Sequence, residues 1–427
     1  MIRKPRTILA LFTALNLLNY LDRFVLSAVL GKVQDELALS NFMAGLLATV
    51  FLASYFVTAP AFGRLGDRLA RKWLIAIGIV VWSAATIGSG LATGAVALFV
   101  SRAIVGVGEA SYATLAPTII DDVTPSARKG RALAVFYLAT PVGTALGYIV
   151  GGLVEKHAGW RTAFFVAGGP GLLLAMITLL VKEPERVIAE EKADVRRDLG
   201  RLVRTPLYRQ GVLGYCAYTA AIGAYAYWAP TFLYRRYGIA QSAASTKFGM
   251  IVVVAGALAT AIGGFWADRV QKRVESQMPG SSEAERDPEV VRGQLGICAK
   301  GSLLGTGLAA ACFFSTSANM FFAFAFFSIL ALFMSTSPIN AVILRSAPQE
   351  LRASAMALAI FAIHMFGDLW SPSFVGLLAD HLPMQLAMMP LPIAIALSAW
   401  LWWPKPAPAT ATATNASAKA SAGVDAA

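Results

Sequence analysis

The chain has 427 residues, of which 57% are hydrophobic and only 14% charged, with a mean hydropathy of +0.62. A soluble domain needs roughly 25% charged residues to clothe its surface, so composition excludes an ordinary soluble enzyme or binding module. The formal charge of +12 does not argue for nucleic acid, because the basic residues sit in short clusters between apolar runs.

In chain order, twelve apolar runs are each long enough to cross a hydrocarbon core of ~30 Å. They fall at about 7–30, 42–63, 73–92, 95–118, 130–154 and 161–181, then at 208–234, 245–267, 295–315, 319–344, 352–379 and 384–403. The first is too long for a signal-peptide core and lacks a small-residue cleavage site, so it reads as a retained span. With the N-terminus inside, only Lys32, Lys156, Arg161, Arg235, Arg236 and Lys247 fall on the outside, which places both termini in the cytoplasm. The organisation expected is therefore a first six-helix bundle over 1–181, a cytoplasmic linker over 182–207, a second bundle over 208–404 and a disordered tail over 405–427. Val195, Leu199, Leu202 and Val203 give the linker one apolar face, as in an interfacial helix. The polar stretch 271–294 reads as a mobile inner loop. Cys216, Cys298 and Cys312 lie in or beside apolar runs and read as packing residues.

The halves repeat. Gly63, Asp67, Arg68, Arg71 and Lys72 map onto Gly264, Asp268, Arg269, Lys272 and Arg273 at an offset of 201. Gly143, Gly152, Leu153 and His157 map onto Gly367, Gly376, Leu377 and His381 at an offset of 224. Two matched six-span halves fit a parallel repeat, with a solute site between the halves near mid-membrane.

Charges inside the spans stand against this apolar background. Arg102 and Glu109, seven residues and about two turns apart, share a face of span 4. A charge near the bilayer centre costs ~2.5–3.5 kcal/mol, so intramembrane ions imply a function by default. Asp22 and Arg23 in span 1 lie at the depth of Arg102, so Asp22 is expected to meet Arg102. Glu109 lies about 10 Å further inward with no basic neighbour within a turn, and is expected to be the titrating carboxylate. A purely structural ion pair is the plainer account of Asp22, Arg23 and Arg102, and a packed, hydrogen-bonded acid that of Glu109. His364 and Asp368, four residues apart in span 11, suit either a structural contact between the halves or a second proton relay. Tyr218 and Tyr225 share a face of span 7 and could wall a cavity, although aromatic stripes are more often ordinary packing. Asp67, Arg68, Asp268 and Arg269 end spans on the inner side and read as a cytoplasmic latch. No G-x-x-x-x-G-K-[ST] run and no catalytic constellation occurs, so neither ATP, a cofactor nor an enzymatic reaction is implied.

The Gly63-x-x-x-Asp67-Arg68-x-x-Arg71-Lys72 loop and the Arg102-x-x-x-Gly106-x-Gly108 pattern resemble the major facilitator superfamily. Within it NYLDRFVLS (19–27), RAIVGVGEASYATLAPTIIDDV (102–123), FYLATPVGTALGYIVGG (136–152) and HMFGDLWSP (364–372) resemble the spinster-like transporters. The resemblance implies an all-α membrane protein of twelve transmembrane helices in two pseudo-symmetric six-helix bundles. It further implies export of lysophospholipid- or sphingosine-1-phosphate-like solutes, with proton coupling and gating at Asp22, Arg23 and Glu109. Only half of the superfamily's fifth-helix antiporter signature is present, Gly151 and Gly152 without the preceding Gly-Pro. The expected protein is a monomeric bacterial inner-membrane transporter that binds an amphipathic solute, protons and membrane lipids but not nucleic acid. Its substrate contacts would be Arg23, Arg102, Tyr218, Tyr225, His364 and Asp368. The runners-up are efflux of hydrophobic drugs, a small organic anion as cargo, and a non-transporting membrane sensor.

Overall fold

A computed structural model describes residues 2–125, 128–183 and 195–405. Within them the chain is helical almost throughout. Helices α1 (Pro5–Leu37), α2 (Asn41–Arg68), α3 (Arg71–Gly90) and α4 (Ala95–Val123) are the first four spans. Spans 5 and 6 are the two arms of α5 (Lys129–Leu179), which breaks at Gly159. Its φ of 81° and ψ of 165° form a combination that only glycine adopts readily, so this residue turns the chain without a loop.

After the short α6 (Val195–Arg204) come α7 (Pro206–Tyr237), α8 (Gln241–Gln277) and α9 (Glu283–Phe313). Span 10 is α10 (Ala318–Phe333) followed by α11 (Thr336–Arg345). Span 11 joins α12 (Arg352–Ile363), a π-helical segment (His364–Asp368) and α13 (Ser371–His381). Span 12 is α14 (Met384–Ala387) and α15 (Pro390–Trp402). Ten helical stretches are apolar and long enough to span, with α5 counted once and α7 not among them. The two arms of α5 and the tyrosine-rich α7 complete twelve.

The linker forms the helix α6, in which Leu202 is buried and Val203 exposed. The side chain of Val195 and the tail from 406 lie outside the described residues. The polar stretch 271–294 differs from its reading as a loop. There α8 runs on to Gln277 and α9 starts at Glu283, leaving a turn of five residues. Ser282 and Glu285 cap α9 reciprocally, and Arg345 of α11 holds Asp287 at 2.6 Å. Those partners pin polar side chains that composition alone reads as loop.

Both repeat registers reappear as packing. A side chain at Gly152 would meet the Ser242 carbonyl oxygen at 2.8 Å, and one at Gly376 would meet that of Asn41 more closely still. These positions are related by the two offsets, 224 for the glycines and 201 for the carbonyls. The second arm-pairs, α5 on α8 and α13 on α2, are thus the same close contact made twice, permitted because glycine lets backbones approach.

Candidate functional site

The two faces of the bundle differ in how its halves meet. On the face where α1 ends and α2 begins (the far face), hydrogen bonds cross between halves repeatedly. Asp380 accepts from the amides of Asn41 and Phe42 at 2.7 and 2.9 Å. Tyr227 donates to the Ala44 carbonyl at 2.6 Å, Tyr148 to that of Ala226 at 2.6 Å, and Gln241 to that of Ala28 at 2.8 Å. Lower in the seam the Thr49 hydroxyl donates to the Leu369 carbonyl at 2.6 Å. On the opposite, near face, where α1 begins and α15 ends, ion pairs stay inside one half. Arg71 holds Asp122 at 2.6 Å, and Arg345 holds Asp287. Among the described residues no hydrogen bond or ion pair joins 2–183 to 206–405 there. The two halves are therefore fastened to each other at the far face and, among the described residues, not at the near face.

The intramembrane charges lie beneath the shut seam. Arg23 of α1 and Glu109 of α4 form an ion pair at 2.7 Å, with Glu109 wholly buried and a fifth of the Arg23 side chain exposed. Aromatic rings cage that guanidinium: Tyr20 and Phe51 at 4.9 Å and Tyr55 at 5.8 Å. Asp22 is buried and accepts from the Thr86 hydroxyl of α3 at 2.5 Å. The expected meeting of Asp22 with Arg102 as an ion pair does not occur, and Glu109 is not without a base. The reason is reach: the long side chain of Arg23 covers the extra depth that separates Glu109 from it along the helices.

Arg102 is buried, lies over the ring of Phe51 at 4.8 Å, and has no ion pair among the described residues. Its Nε and Nη1 lack hydrogen-bond partners, as do Asp22 Oδ1 and Glu109 Oε1. Asp22 stays within Coulombic reach of Glu109, Arg102 and Arg23. The four groups form a charge-balanced quartet, two cations and two anions, with polar capacity to spare.

The C-terminal half faces this quartet with less charge. His364 Nδ1 lies 2.8 Å from Asp368 Oδ1 on the π-helical segment, and the His364 ring lies 5.3 Å from that of Phe56 on α2. Phe56 in turn neighbours Tyr55 at 5.3 Å, so rings connect the Arg23 cage to His364 across the cleft. Such π-turns recur at functional sites because they free backbone groups and re-aim side chains.

Tyr218 and Tyr225 are a correction. The structure turns both away from the cleft into the C-terminal half, where Tyr218 donates to the Leu332 carbonyl at 3.0 Å and Tyr225 meets Cys312 Sγ at 3.2 Å. The cleft-facing aromatics are instead Tyr20, Tyr55, Phe56 and the 46%-exposed Phe361. Tyr20 precedes Arg23 by three residues and Tyr55 follows Phe51 by four, a helical spacing that could have found them. Asp67, Arg68, Asp268 and Arg269 are exposed at the near face, and none of them forms an ion pair among the described residues. Arg269 rests on the ring of Phe265 at 4.4 Å.

Residues 12–278 match the family model of the major facilitator superfamily, and residues 303–383 match that of the Organic Anion Transporter Polypeptide family. Protein spinster of Drosophila melanogaster is 34% identical over 390 residues, covering 88% of this chain and 62% of that protein. The chain thus spans less than two thirds of the fly protein, although it spans 73% of human spinster homolog 1, to which it is 34% identical over 409 residues. A bacterial homolog of the human lysosomal transporter Spinster, in an inward-facing and unoccupied conformation, has a TM-score of 0.79 at 19% identity, with 93% of this chain and 96% of that one covered. A D-xylose–proton symporter gives 0.74 at 19% identity, covering 93% and 97%.

Proposed function

The chain belongs to the major facilitator superfamily and, within it, to the spinster transporters, and on that premise we propose that it carries an amphipathic, lipid-like solute across the bacterial inner membrane by proton-coupled alternating access. Both termini then lie in the cytoplasm and the cleft between the halves opens inward. The observation that supports this most is Arg102: a buried guanidinium with two unpartnered nitrogens, Nε and Nη1, within a quartet whose charges cancel. An anionic head group would satisfy it, while the solute's tail lies along Tyr20, Tyr55, Phe56 and Phe361.

Glu109 is the proton site in this reading, with Asp22 as its electrostatic neighbour. A proton on Glu109 removes the negative charge that holds Arg23, so the quartet changes from neutral to singly positive. Arg23 is then free to share the head group with Arg102, and a lost proton returns it to Glu109 and expels the solute. His364 and Asp368 touch the solute from the opposite wall. Asp67, Arg68, Asp268 and Arg269 close the near face when the far face opens, which fits the absence of any ion pair to them among the described residues.

The test is flux of a lysophospholipid in proteoliposomes, with and without a pH gradient. The expected result is gradient-dependent flux that Glu109→Gln uncouples and Arg102→Ala abolishes; unchanged coupling in Glu109→Gln refutes the proton assignment. A small organic anion is the second cargo class, favoured by the match over 303–383 to the Organic Anion Transporter Polypeptide model. Competition by such an anion, with no lysolipid flux, would select it.

A further inference from the structure

We infer that the closed far face carries a one-sided charged clasp in addition to its neutral hydrogen bonds: Asp380 caps the start of α2 across the seam, whereas its repeat counterpart Lys156 leaves the equivalent start of α8 without a carboxylate cap. The first amides of any helix lack intrahelical partners and carry the positive end of the helix dipole. In α2 the hydroxyl of Ser40 takes the amide of Met43 at 3.2 Å, which leaves those of Asn41 and Phe42. Both donate to Asp380, one to each carboxylate oxygen, and the Asn41 side chain also donates to the Ala379 carbonyl at 3.0 Å. Charge-assisted bonds of this kind are about twice as strong as neutral ones. Asp380 ends α13 in one half and α2 begins the other, so these bonds exist only while the far face is closed.

The repeat makes the clasp legible as a choice and not a by-product of packing. Asp380 follows Gly376 by four residues, one turn along the same face, and Lys156 follows Gly152 by the same spacing. Gly376 touches the start of α2 and Gly152 the start of α8. At the second place stands a cation, the wrong sign for a helix start, and α8 begins at Ala240 without a side-chain cap. Lys156 is exposed and has no hydrogen bond or ion pair among the described residues. The groups facing Asp380 are Ser40, Asn41 and, through Asn41, the Arg235 guanidinium at 2.5 Å from the Asn41 side chain. The seam is thus fastened by a carboxylate at α2–α13, whereas the start of α8 crosses it only through neutral hydrogen bonds, from Gln241 and Ser245 to the Ala28 carbonyl at 2.8 and 2.5 Å.

This inference rests on the alternating-access reading, and one experiment separates the two. Spin labels at the exposed far-face positions Leu91 and Phe314, one in each half, report the distance across the seam by pulsed electron resonance in nanodiscs. Asp380→Asn should raise the ratio of far-open to far-closed molecules by about five-fold or more, and Asp380→Glu should restore most of the closed state. Lys156→Glu supplies an acid to the start of α8 and should lower the ratio; as an exposed substitution it leaves folding intact. Two distance populations that neither variant moves, or that both move in one direction, overturn the clasp. A single distance in every variant and at every pH overturns alternating access itself, and the clasp with it.

Discussion

The two halves share a scaffold but not a chemistry. Glycines 152 and 376 make the same backbone contact, and Pro5 and Pro206 open α1 and α7 at the offset of the α2/α8 motif. The charges obey no such rule. Asp22 has Gly223 as its counterpart, and α10, which takes the place of α4, carries no charged residue at all. His364 and Asp368 correspond to Thr140 and Thr144. Duplication fixed where helices touch; the ions and most of the rings were then lodged in one half, with Phe361 and one His–Asp pair set opposite. A rocking carrier gains from that division, since the quartet moves as part of one body and its internal geometry survives each cycle.

Breaking the charged half should cost most. Arg23→Ala strands the buried Glu109 carboxylate, for an expected loss of about 3–5 kcal/mol in stability. Thermal melting in detergent would show it, and adding Glu109→Gln should recover most of the loss. Next comes the shared scaffold: Gly376→Val drives a side chain into the Asn41 carbonyl, for an expected penalty of about 1–3 kcal/mol on the closed seam. Gly94→Ala, with nothing within 4 Å of the added carbon, should leave melting unchanged. The sparsely charged half should respond less. Asp368→Asn is expected to change melting by under about 1 kcal/mol while raising the KM for the solute several-fold, because the His364–Asp368 pair is partly exposed. Tyr218→Phe and Tyr225→Phe each delete one buried contact, worth about 0.5–1.5 kcal/mol, and should leave flux within about twofold. A flux loss larger than the melting loss would return those tyrosines to the cleft wall.

The spans, the repeat and the buried charges were legible because each rests on a local signal: apolar run length, a fixed offset, or an ion where hydrocarbon is expected. Pairing was not. Sequence spacing places Asp22 and Arg102 at one depth, but Thr86 on α3 competes for Asp22, and no pattern in α3 announces it. Tyr218 and Tyr225 share a face of α7, a pattern that fits both a cavity wall and ordinary packing. Such spacing does not say which face points inward, and the isolated rings of Tyr20, Tyr55 and Phe56 line the cleft instead. The stretch 271–294 read as loop because helix caps and the Arg345–Asp287 contact depend on a partner 58 positions away.

The polarity of α7 has a consequence for how the protein is made. Its five inner tyrosine and tryptophan side chains, Tyr215, Tyr218, Tyr225, Tyr227 and Trp228, find acceptors or ring partners on α2, α9, α10, α13 and α15. A segment that leans on neighbours for its polar groups gains little by entering lipid alone, so the translocon must hold it until later segments emerge from the ribosome. Biogenesis of the second bundle is then a collective event, and a gene fragment that ends soon after α7 would yield a chain whose seventh span is unable to integrate stably.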